Sequence, residues 1–247
     1  MKNITEPERI CEFYPDIREC SYLKDRDAEF RYFHIEGCSN AIYQVLLERG
    51  WRRFGMYFFT PICSSCSECI TIRYLADEFS PSKNQKRVLK KNQDLEIEVS
   101  HPRMTMEHLD LYTRYHIHMN KKKGWDYSPT RPKSYHEMFV EGYEEFGYEI
   151  RYRLEGKLVG VSLCDVLPHS ISAVYFYYDP DMPKRSLGVF SLLKQLELAK
   201  KSNINYLYPG YWIEGHASMG YKERFRPLEV LTNRPDLDEK PVWGRLD

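Results

Sequence analysis

The order of apolar and polar positions indicates two parts of the chain with different patterns. In the first, NAIYQVLLERG (40–50) has apolar residues at helical spacing and ends at a glycine, a plausible residue just past a helix end. MYFFT (56–60), ITIRYLA (70–76) and LEIEVS (95–100) are short strand-like runs. The pattern before residue 100 therefore predicts one helix among several short strands.

Beyond residue 104 the periodicity alternates between helix and strand. The expected turn at Glu155-Gly156-Lys157 divides one long apolar segment into two strands. The predicted elements are a helix at 106–122, a helix at 135–146, two strands within 148–167, a strand at 172–180, a helix at 186–202 with Ser186 as its N-cap, and a buried strand at 203–213.

Three antiparallel strands, a helix and one more strand make a small α+β sheet. This order is that of an acetyltransferase-like (GNAT-like) lobe, in which a helix N-terminus beside a strand end holds the phosphates of the donor. We therefore expect a small cysteine-bearing α/β lobe at 1–100, the acetyltransferase-like domain at 101–230 and an exposed charged tail at 231–247.

The composition of the chain narrows the range of molecules that it is expected to bind. The chain has 247 residues, 42% of them hydrophobic, and a formal net charge of zero, which argues against a general polycation. No apolar run approaches the roughly 18 residues that a membrane span needs, so no membrane partner is expected. Seven cysteines in a chain with no secretory signal pattern indicate reduced thiols and a cytoplasmic protein.

Three of the cysteines have the spacing of metal ligands. Cys63, Cys66 and Cys69 follow one another at intervals of three in PICSSCSEC. A turn with this spacing directs thiolates to one centre, and zinc or an iron–sulfur cluster takes four such ligands. Cys11, Cys20 and Cys38 are the candidates for the fourth, and Cys164 lies in an apolar strand and is expected in the core.

A basic run follows the cysteines. Its cations, with no acid among them, are Lys83, Lys86, Arg87, Lys90 and Lys91. Such a run suits a phosphate backbone, although a solvated helix face has the same composition. Arg52, Arg53 and the lysines at 121–123 add charge of the same sign. Recognition of RNA by shape and end is favoured over base readout on DNA, since no DNA-binding motif is present.

Several motifs that carry common chemistries are missing from the sequence. There is no GxxxxGK[ST] and no GxGxxG after a strand, so neither ATP nor NAD is expected as a cofactor. HExxH and GxSxG are missing as well. The pair His116-x-His118 points two ways around its helix and is interpreted as structural.

The motifs that are present combine into a resemblance. They are CSYL (20–23), GWRRFG (50–55), PICSSCSEC (61–69), SPSKNQKR (80–87), SAVYFYYDPD (172–181), SLG (186–188), YPGYWI (208–213) and MGYKERFRPLE (219–229). In this order the chain resembles the bacterial aspartate/glutamate leucyltransferases, relatives of the arginyl-tRNA–protein transferases of the N-degron pathway. The resemblance covers roughly residues 18 to 230.

The resemblance implies transfer of leucine from Leu-tRNA to proteins that begin with Asp or Glu, which a protease adaptor then recognises. It makes Cys20 the fourth ligand beside Cys63, Cys66 and Cys69, for an iron–sulfur cluster or zinc. Two departures bear on specificity: lysines stand at 83 and 86 where the family has arginines, and His216 and Ser218 replace the usual Ser and Lys.

Site residues follow from the resemblance, each with a structural alternative. Asp179 and Tyr211 are the catalytic candidates, and Lys222 and Arg226 the candidates for binding the acidic acceptor. The donor-binding candidates are Lys83, Gln85, Lys86, Arg87, the backbone N–H groups of Ser186, Leu187 and Gly188, and Trp212. The structural alternatives are a helix cap, an Asp-Pro turn, buried core aromatics and surface charge.

Three other functions stay open at this point. Arginyl transfer from Arg-tRNA needs an acidic donor pocket where leucyl transfer needs an apolar one. A non-enzymatic metal- and RNA-binding regulator would use only the cysteines and the basic run. A small-molecule acetyltransferase would bind acetyl-CoA, against which the missing glycine-rich pyrophosphate loop counts.

Overall fold

In the computed structural model, which describes residues 7–142 and 145–246, the local patterns become short helices and strands. The α-helices are α1 (Asn40–Glu48), α2 (Lys83–Lys91), α3 (Met106–Lys123), α4 (Pro132–Phe139) and α5 (Leu187–Lys201). The strands are β1 (Arg9–Phe13), β2 (Arg18–Glu19), β3 (Asp27–Ala28), β4 (Phe30–Glu36), β5 (Arg52–Phe54), β6 (Tyr57–Pro61), β7 (Ile70–Leu75), β8 (Glu96–Ser100), β9 (Gly147–Leu154), β10 (Lys157–Val166), β11 (Ser170–Tyr178), β12 (Tyr206–Tyr208), β13 (Tyr211–Trp212), β14 (Leu228–Leu231) and β15 (Trp243–Leu246). None of the described helices is both long and apolar enough to cross a membrane.

The larger sheet has the strand order β15-β14-β7-β12-β11-β10-β9-β8, with β13 paired to β7. The three antiparallel strands predicted at its centre are confirmed, since β10 pairs with both β9 and β11. Glu155 and Gly156 turn the chain between β9 and β10 at φ values of 50° and 77°. Two consecutive residues with positive φ are what a tight hairpin turn requires.

Helix α5 connects β11 to β12, and these two strands run parallel. They pair only from Ser170 to Ser172 against Tyr206 to Tyr208, after which β11 continues and β12 ends. A cleft therefore opens between the strands from Ala173 onward. The α+β class and the acetyltransferase-like order of elements are both confirmed.

A smaller antiparallel sheet in the order β1-β4-β6-β5 lies before it in sequence. Its core is aromatic: the Phe33 and Trp51 rings stack with centroids 4.6 Å apart. Ser39 caps α1 by accepting a hydrogen bond from the Ile42 N–H. Gly50 follows the helix with a φ of 86°, so the predicted end of this helix is confirmed.

Two features of the larger sheet were not predicted. Strands β7 and β8, which precede residue 100, pair within it, and the division into lobes at residue 100 stays a prediction. Residues after 230 are not a free tail, because β15 pairs with β14, which pairs with β7. Helix α4 also ends at Phe139, earlier than predicted. Long-range pairing of this kind leaves no local pattern in the sequence.

Candidate functional site

The cleft between β11 and β12 is the centre of the candidate site. Its first unpaired carbonyl, that of Ala173, accepts a hydrogen bond of 2.6 Å from Nη2 of Arg52 on β5. On the other side Gly210, with a φ of 93°, turns the chain away from β11 and into β13. The side chain of Arg52 thus occupies the place where strand pairing stops.

Lys222, a predicted acceptor-binding residue, lies at the same cleft. Its ammonium donates a 2.5 Å hydrogen bond to the Tyr211 carbonyl. Burial, and then the charge of Arg52, lower the pKa of Lys222 to about 7 despite the opposing effect of Cys69. A Cβ placed on Gly210 would be 3.5 Å from Lys222 Nζ and 3.7 Å from Arg52 Nη2. Both cations therefore border one small space.

An aromatic wall follows β11 past the cleft. His116 on α3 donates from Nδ1 to the Tyr112 carbonyl at 2.8 Å, since a carbonyl can only accept. Its Nε2 is therefore an acceptor in the neutral ring, and the Tyr175 hydroxyl donates to it at 2.9 Å. Burial lowers the pKa of His116 against the effect of the Tyr112 bond, which favours this neutral form.

Two loops lie over this region. His216 Nε2 is 3.2 Å from the Tyr22 carbonyl, and Lys123 donates to the Ser218 hydroxyl at 2.7 Å. Both contacts are on the surface. His216 and Ser218 thus join the loop after β13 to the CSYL segment and to the end of α3.

The basic run forms α2. Ser82 caps the helix, and Gln85 completes a capping box by returning a bond to the Ser82 N–H. Gln85 is buried and also donates to the Arg224 carbonyl, so its side chain holds the helix start, and its donor-binding role stays a prediction. The side chains of Lys83, Lys86 and Arg87 are exposed, as a phosphate-binding face requires.

The start of α5 adjoins a cavity of about 310 Å³ lined by residues 181 to 185. Ser186 is the N-cap residue as predicted, but its φ of 54° is left-handed and its side chain makes no capping bond. The Leu187 side chain is buried, and a Cβ on Gly188 would meet nothing within 4 Å. The backbone N–H groups at this helix start stay predictions as donor contacts.

Asp179 is fully buried and already has partners. Its carboxylate binds Arg114 at 3.0 Å and Lys157 at 2.9 Å, and accepts from the Asp181 N–H. Burial would raise the pKa of Asp179, but the hydrogen bonds from these two cations lower it overall. The residue anchors the end of β11, and a direct catalytic contact stays a prediction.

The remaining predicted residues face other neighbours. Tyr211 is 7% exposed and its hydroxyl donates to the Gly50 carbonyl, so only its backbone reaches the cleft. Trp212 packs in the core of the larger sheet, as its structural alternative expects, and its role in donor binding stays a prediction. Arg226 is exposed and donates to the Leu246 carbonyl on β15, not to the cleft.

The four cysteines of the predicted metal site lie near one another. Burial, and then the nearby Cys20, Cys63 and Cys66, raise the pKa of Cys69 to about 12. Cys63 contacts the backbone N–H and carbonyl of Glu29. Within residues 7–142 and 145–246, no three Cys, His, Asp or Glu side chains are grouped as metal ligands. The donor set has the chemistry of a zinc or iron–sulfur site, and the metal stays a prediction.

Both halves of the chain match the sequence profiles of one family. Residues 18–87 match "Arginine-tRNA-protein transferase, N terminus" and residues 107–232 match its "C terminus" counterpart. The aspartate/glutamate leucyltransferase of Helicobacter hepaticus is 53% identical over 95% of this chain and 98% of its own. The chain belongs to this leucyltransferase family. It is therefore an aminoacyltransferase, and the resemblance inferred from its motifs is confirmed.

Other members of the leucyltransferase family are more distant. The protein of Campylobacter jejuni is 42% identical over 92% of this chain and 95% of its own, and that of Pseudomonas entomophila is 36% identical over 94% and 97%. Among solved structures the chain is similar to FemX, with a TM-score of 0.49 and 7% identity over 80% of this chain and 68% of that one. It is also similar to L-PGS from Bacillus licheniformis, with a TM-score of 0.47 and 14% identity over 83% and 62%.

Sequence reasoning missed three residues in and beside the cleft. Arg52 was grouped with Arg53 and the basic run as charge of the same sign, yet both arginines are 6% exposed. His116 was interpreted as structural, and Tyr175 was one aromatic residue of a strand. A signal existed for Arg52: neighbouring residues of a strand point to opposite faces, so two consecutive arginines must have different surroundings.

Proposed function

We propose that the protein transfers leucine from Leu-tRNA to the N-terminal amine of proteins that begin with Asp or Glu. The observation that carries this proposal is the 53% identity, across 95% of the chain, to a protein named for that reaction. The end of strand pairing between β11 and β12 supports it, because the cations of Arg52 and Lys222 lie there.

The chemistry is aminolysis of an ester. The amine nitrogen attacks the ester carbonyl, an amide bond forms, the bond to the ribose oxygen breaks, and the amine's proton is transferred to that oxygen. An ester becoming an amide is downhill, so no ATP is needed. With an α-amino pKa near 7.7–8.0, a useful fraction of the amine is unprotonated at neutral pH, and juxtaposition of the substrates is the main task.

The Tyr175–His116 pair is suited to the proton transfer. As the amine attacks, its proton passes to the Tyr175 oxygen while the Tyr175 proton moves to His116 Nε2, which returns it for the leaving ribose oxygen. Tyr175→Phe removes this relay and is expected to lower kcat for leucine transfer by about 10² with KM little changed. An unchanged kcat would exclude the pair from the reaction.

Positive charge on the protein surface positions the tRNA that carries the leucine. The exposed cations of α2 are on a helix that adjoins the start of α5, since Asn92, which follows α2, donates to the Arg185 carbonyl at 2.8 Å. We place the phosphates of the tRNA 3′ end across this surface. Use of charged tRNA puts the reaction in the cytoplasm, and the modified protein then becomes a ligand for the adaptor of an N-degron protease.

The four cysteines are assigned to a zinc ion or iron–sulfur cluster, which would tie the CSYL segment to the loop before β7. Their thiolates would supply its ligands. Cys66→Ser is expected to lower the bound metal, measured by elemental analysis, and to lower the thermal midpoint of unfolding. A variant with full metal content would remove Cys66 from the ligand set.

The test is transfer of labelled leucine or arginine from charged tRNA to peptides that begin with Asp, Glu, Lys or Arg. Leucine on the Asp and Glu peptides is expected. Arginine on the same peptides would replace the donor and keep the reaction. No transfer to any peptide by metal-loaded protein would overturn the proposal in favour of a non-enzymatic binding protein.

A further inference from the structure

Arg52 carries a buried charge beside the point where the pairing of β11 and β12 stops. The residue is 6% exposed, and Nη2 donates to the Ala173 carbonyl. The other terminal nitrogen, Nη1, is buried and has no hydrogen-bond partner in the described part of the chain. None of the ion pairs found among the described residues includes Arg52.

Lys222 adds a second cation to the same space. Burial is the main cause of its lowered pKa, and in the described part of the chain its ammonium donates to a neutral carbonyl, that of Tyr211. No ion pair within residues 7–142 and 145–246 involves Lys222 either. A buried Arg52 beside a half-buried Lys222, with no ion pair to either among the described residues, costs free energy because each cation loses hydration and repels the other.

The space between the two cations is kept open by a glycine. Any side chain at Gly210 would begin in contact with both Lys222 Nζ and Arg52 Nη2. The position also has a φ of 93°, which disfavours other residues. Glycine therefore leaves the cationic heads facing a small space that is free of side-chain atoms from this turn.

We infer that Arg52 and Lys222 form the binding site for the side-chain carboxylate of the acceptor's first residue, Asp or Glu. This inference rests on the proposed function and identifies the residues that select its substrate. A carboxylate in the space beside Gly210 accepts from Lys222 Nζ and from the Arg52 guanidinium, which compensates both charges. The two cations cost stability in the free protein, and the substrate supplies the compensating anion when it binds.

Burial favours a terminal carboxylate over a phosphodiester. A phosphate within a nucleic-acid strand carries a ribose on each side, and both would have to enter the closed end of the cleft. The exposed cations of α2 already offer phosphate contacts elsewhere. A carboxylate reaches the site on a short side chain, once the surface contacts of Tyr22 with His216 and of Lys123 with Ser218 separate.

The experiment is calorimetric titration, without tRNA, of two peptides that differ only in beginning with Asp or Asn. We expect the intact protein to bind the Asp peptide about tenfold more tightly or better, as two charge-assisted hydrogen bonds imply. Lys222→Gln keeps a donor for the Tyr211 carbonyl but loses the charge, and should reduce this preference to about threefold or less. Lys201→Gln removes an equal charge from a side chain that is 72% exposed and should keep the preference.

An unchanged preference in Lys222→Gln, or no preference in the intact protein, would overturn the inference. If Lys222→Gln does not fold, Lys222→Met serves, and its circular dichroism spectrum verifies folding before titration. If Lys222→Gln loses binding to a tRNA acceptor-stem hairpin while it keeps its preference for the Asp peptide, the inference is also overturned, because the cations are then assigned to phosphate. Because leucine is not involved, Asp-selective binding without leucine transfer would overturn only the proposed function.

Discussion

Arg52 and Arg53 are neighbours on β5, equally buried, and differently compensated. Arg53 makes a bidentate ion pair with Asp165 at 2.5 and 2.9 Å and donates to the Gly55 carbonyl. Tyr43 completes the group by donating to the same carboxylate. Arg52 lies on the other face of the strand against one carbonyl and a second cation, Lys222.

The difference indicates that Arg53 stabilises the fold and that Arg52 binds a ligand. The Arg53–Asp165 pair joins the smaller sheet to β10 and satisfies its charges within the protein, as buried ions in a stable core must. The Arg52–Lys222 pair leaves its charge for a molecule that the protein binds. Burial alone therefore does not identify a functional residue, whereas burial without compensation does.

The largest expected effect comes from breaking the Arg53–Asp165 ion pair, whose charges are compensated within the protein. Arg53→Met leaves the Asp165 carboxylate buried without its cation, and should lower the free energy of unfolding in urea by about 3–5 kcal/mol. Arg52→Met is the matched variant, since it removes the same groups from the neighbouring position. Arg52→Met loses one hydrogen bond to the Ala173 carbonyl and relieves repulsion with Lys222. Its free energy of unfolding should therefore fall by only about 1 kcal/mol. Equal losses of unfolding free energy in the two variants would contradict the proposed difference between Arg52 and Arg53.

The pH dependence of stability should expose the unpaired charge. The pKa of Lys222 is about 7 in the folded protein and 10.5 as the ordinary value. Between these values the unfolded chain binds more protons, so stability rises with pH, by at most about 1.4 kcal/mol per unit. The cost of the charge is fully present below pH 7 and gone above the unfolded pKa.

This pH effect is measured as the stability of the intact protein minus that of Lys222→Gln, from pH 7 to 10. The charged or titratable groups that act on Lys222 are Arg52 and Cys69, and the Cys69 pKa of about 12 lies above this range. A difference that stays flat would show that Lys222 is not a strained buried cation.

Gly210→Ala should close the space between the cations. Its φ of 93° predicts a backbone cost of about 1–3 kcal/mol, and its methyl group would raise KM for Asp peptides. Gly156→Ala is the matched control: it has a φ of 77°, and its Cβ would meet nothing within 4 Å. The control should lose stability and keep KM. A raised KM in both variants would attribute the effect to destabilisation alone.

Local patterns were enough to predict the centre of the fold. The hairpin of β9 and β10, the strand β11 and the helix α5 each carry their periodicity and turn residues within a short segment. Strands β7 and β14 could not be placed from sequence, because their pairing joins residues about 150 positions apart in the chain. For the same reason the sequence did not predict that β7 and β15 belong to the larger sheet.

The site was predictable only in part. Lys222 was found through the family motif, while Trp212 and Gln85 were assigned to substrates although the fold uses them in its core and in a helix cap. Arg52 was overlooked because sequence shows neither which face of β5 points to the cleft nor which acids are out of reach. Compensation of charge is a property of three-dimensional neighbours.

The measurement that tests this account most directly is kcat/KM for labelled leucine transfer from Leu-tRNA to the Asp and Asn peptides, with the intact protein and with Lys222→Gln. The account predicts a strong preference for Asp in the intact protein, lost in the variant mainly through KM for the Asp peptide. An equal preference for Asp in both proteins would contradict it.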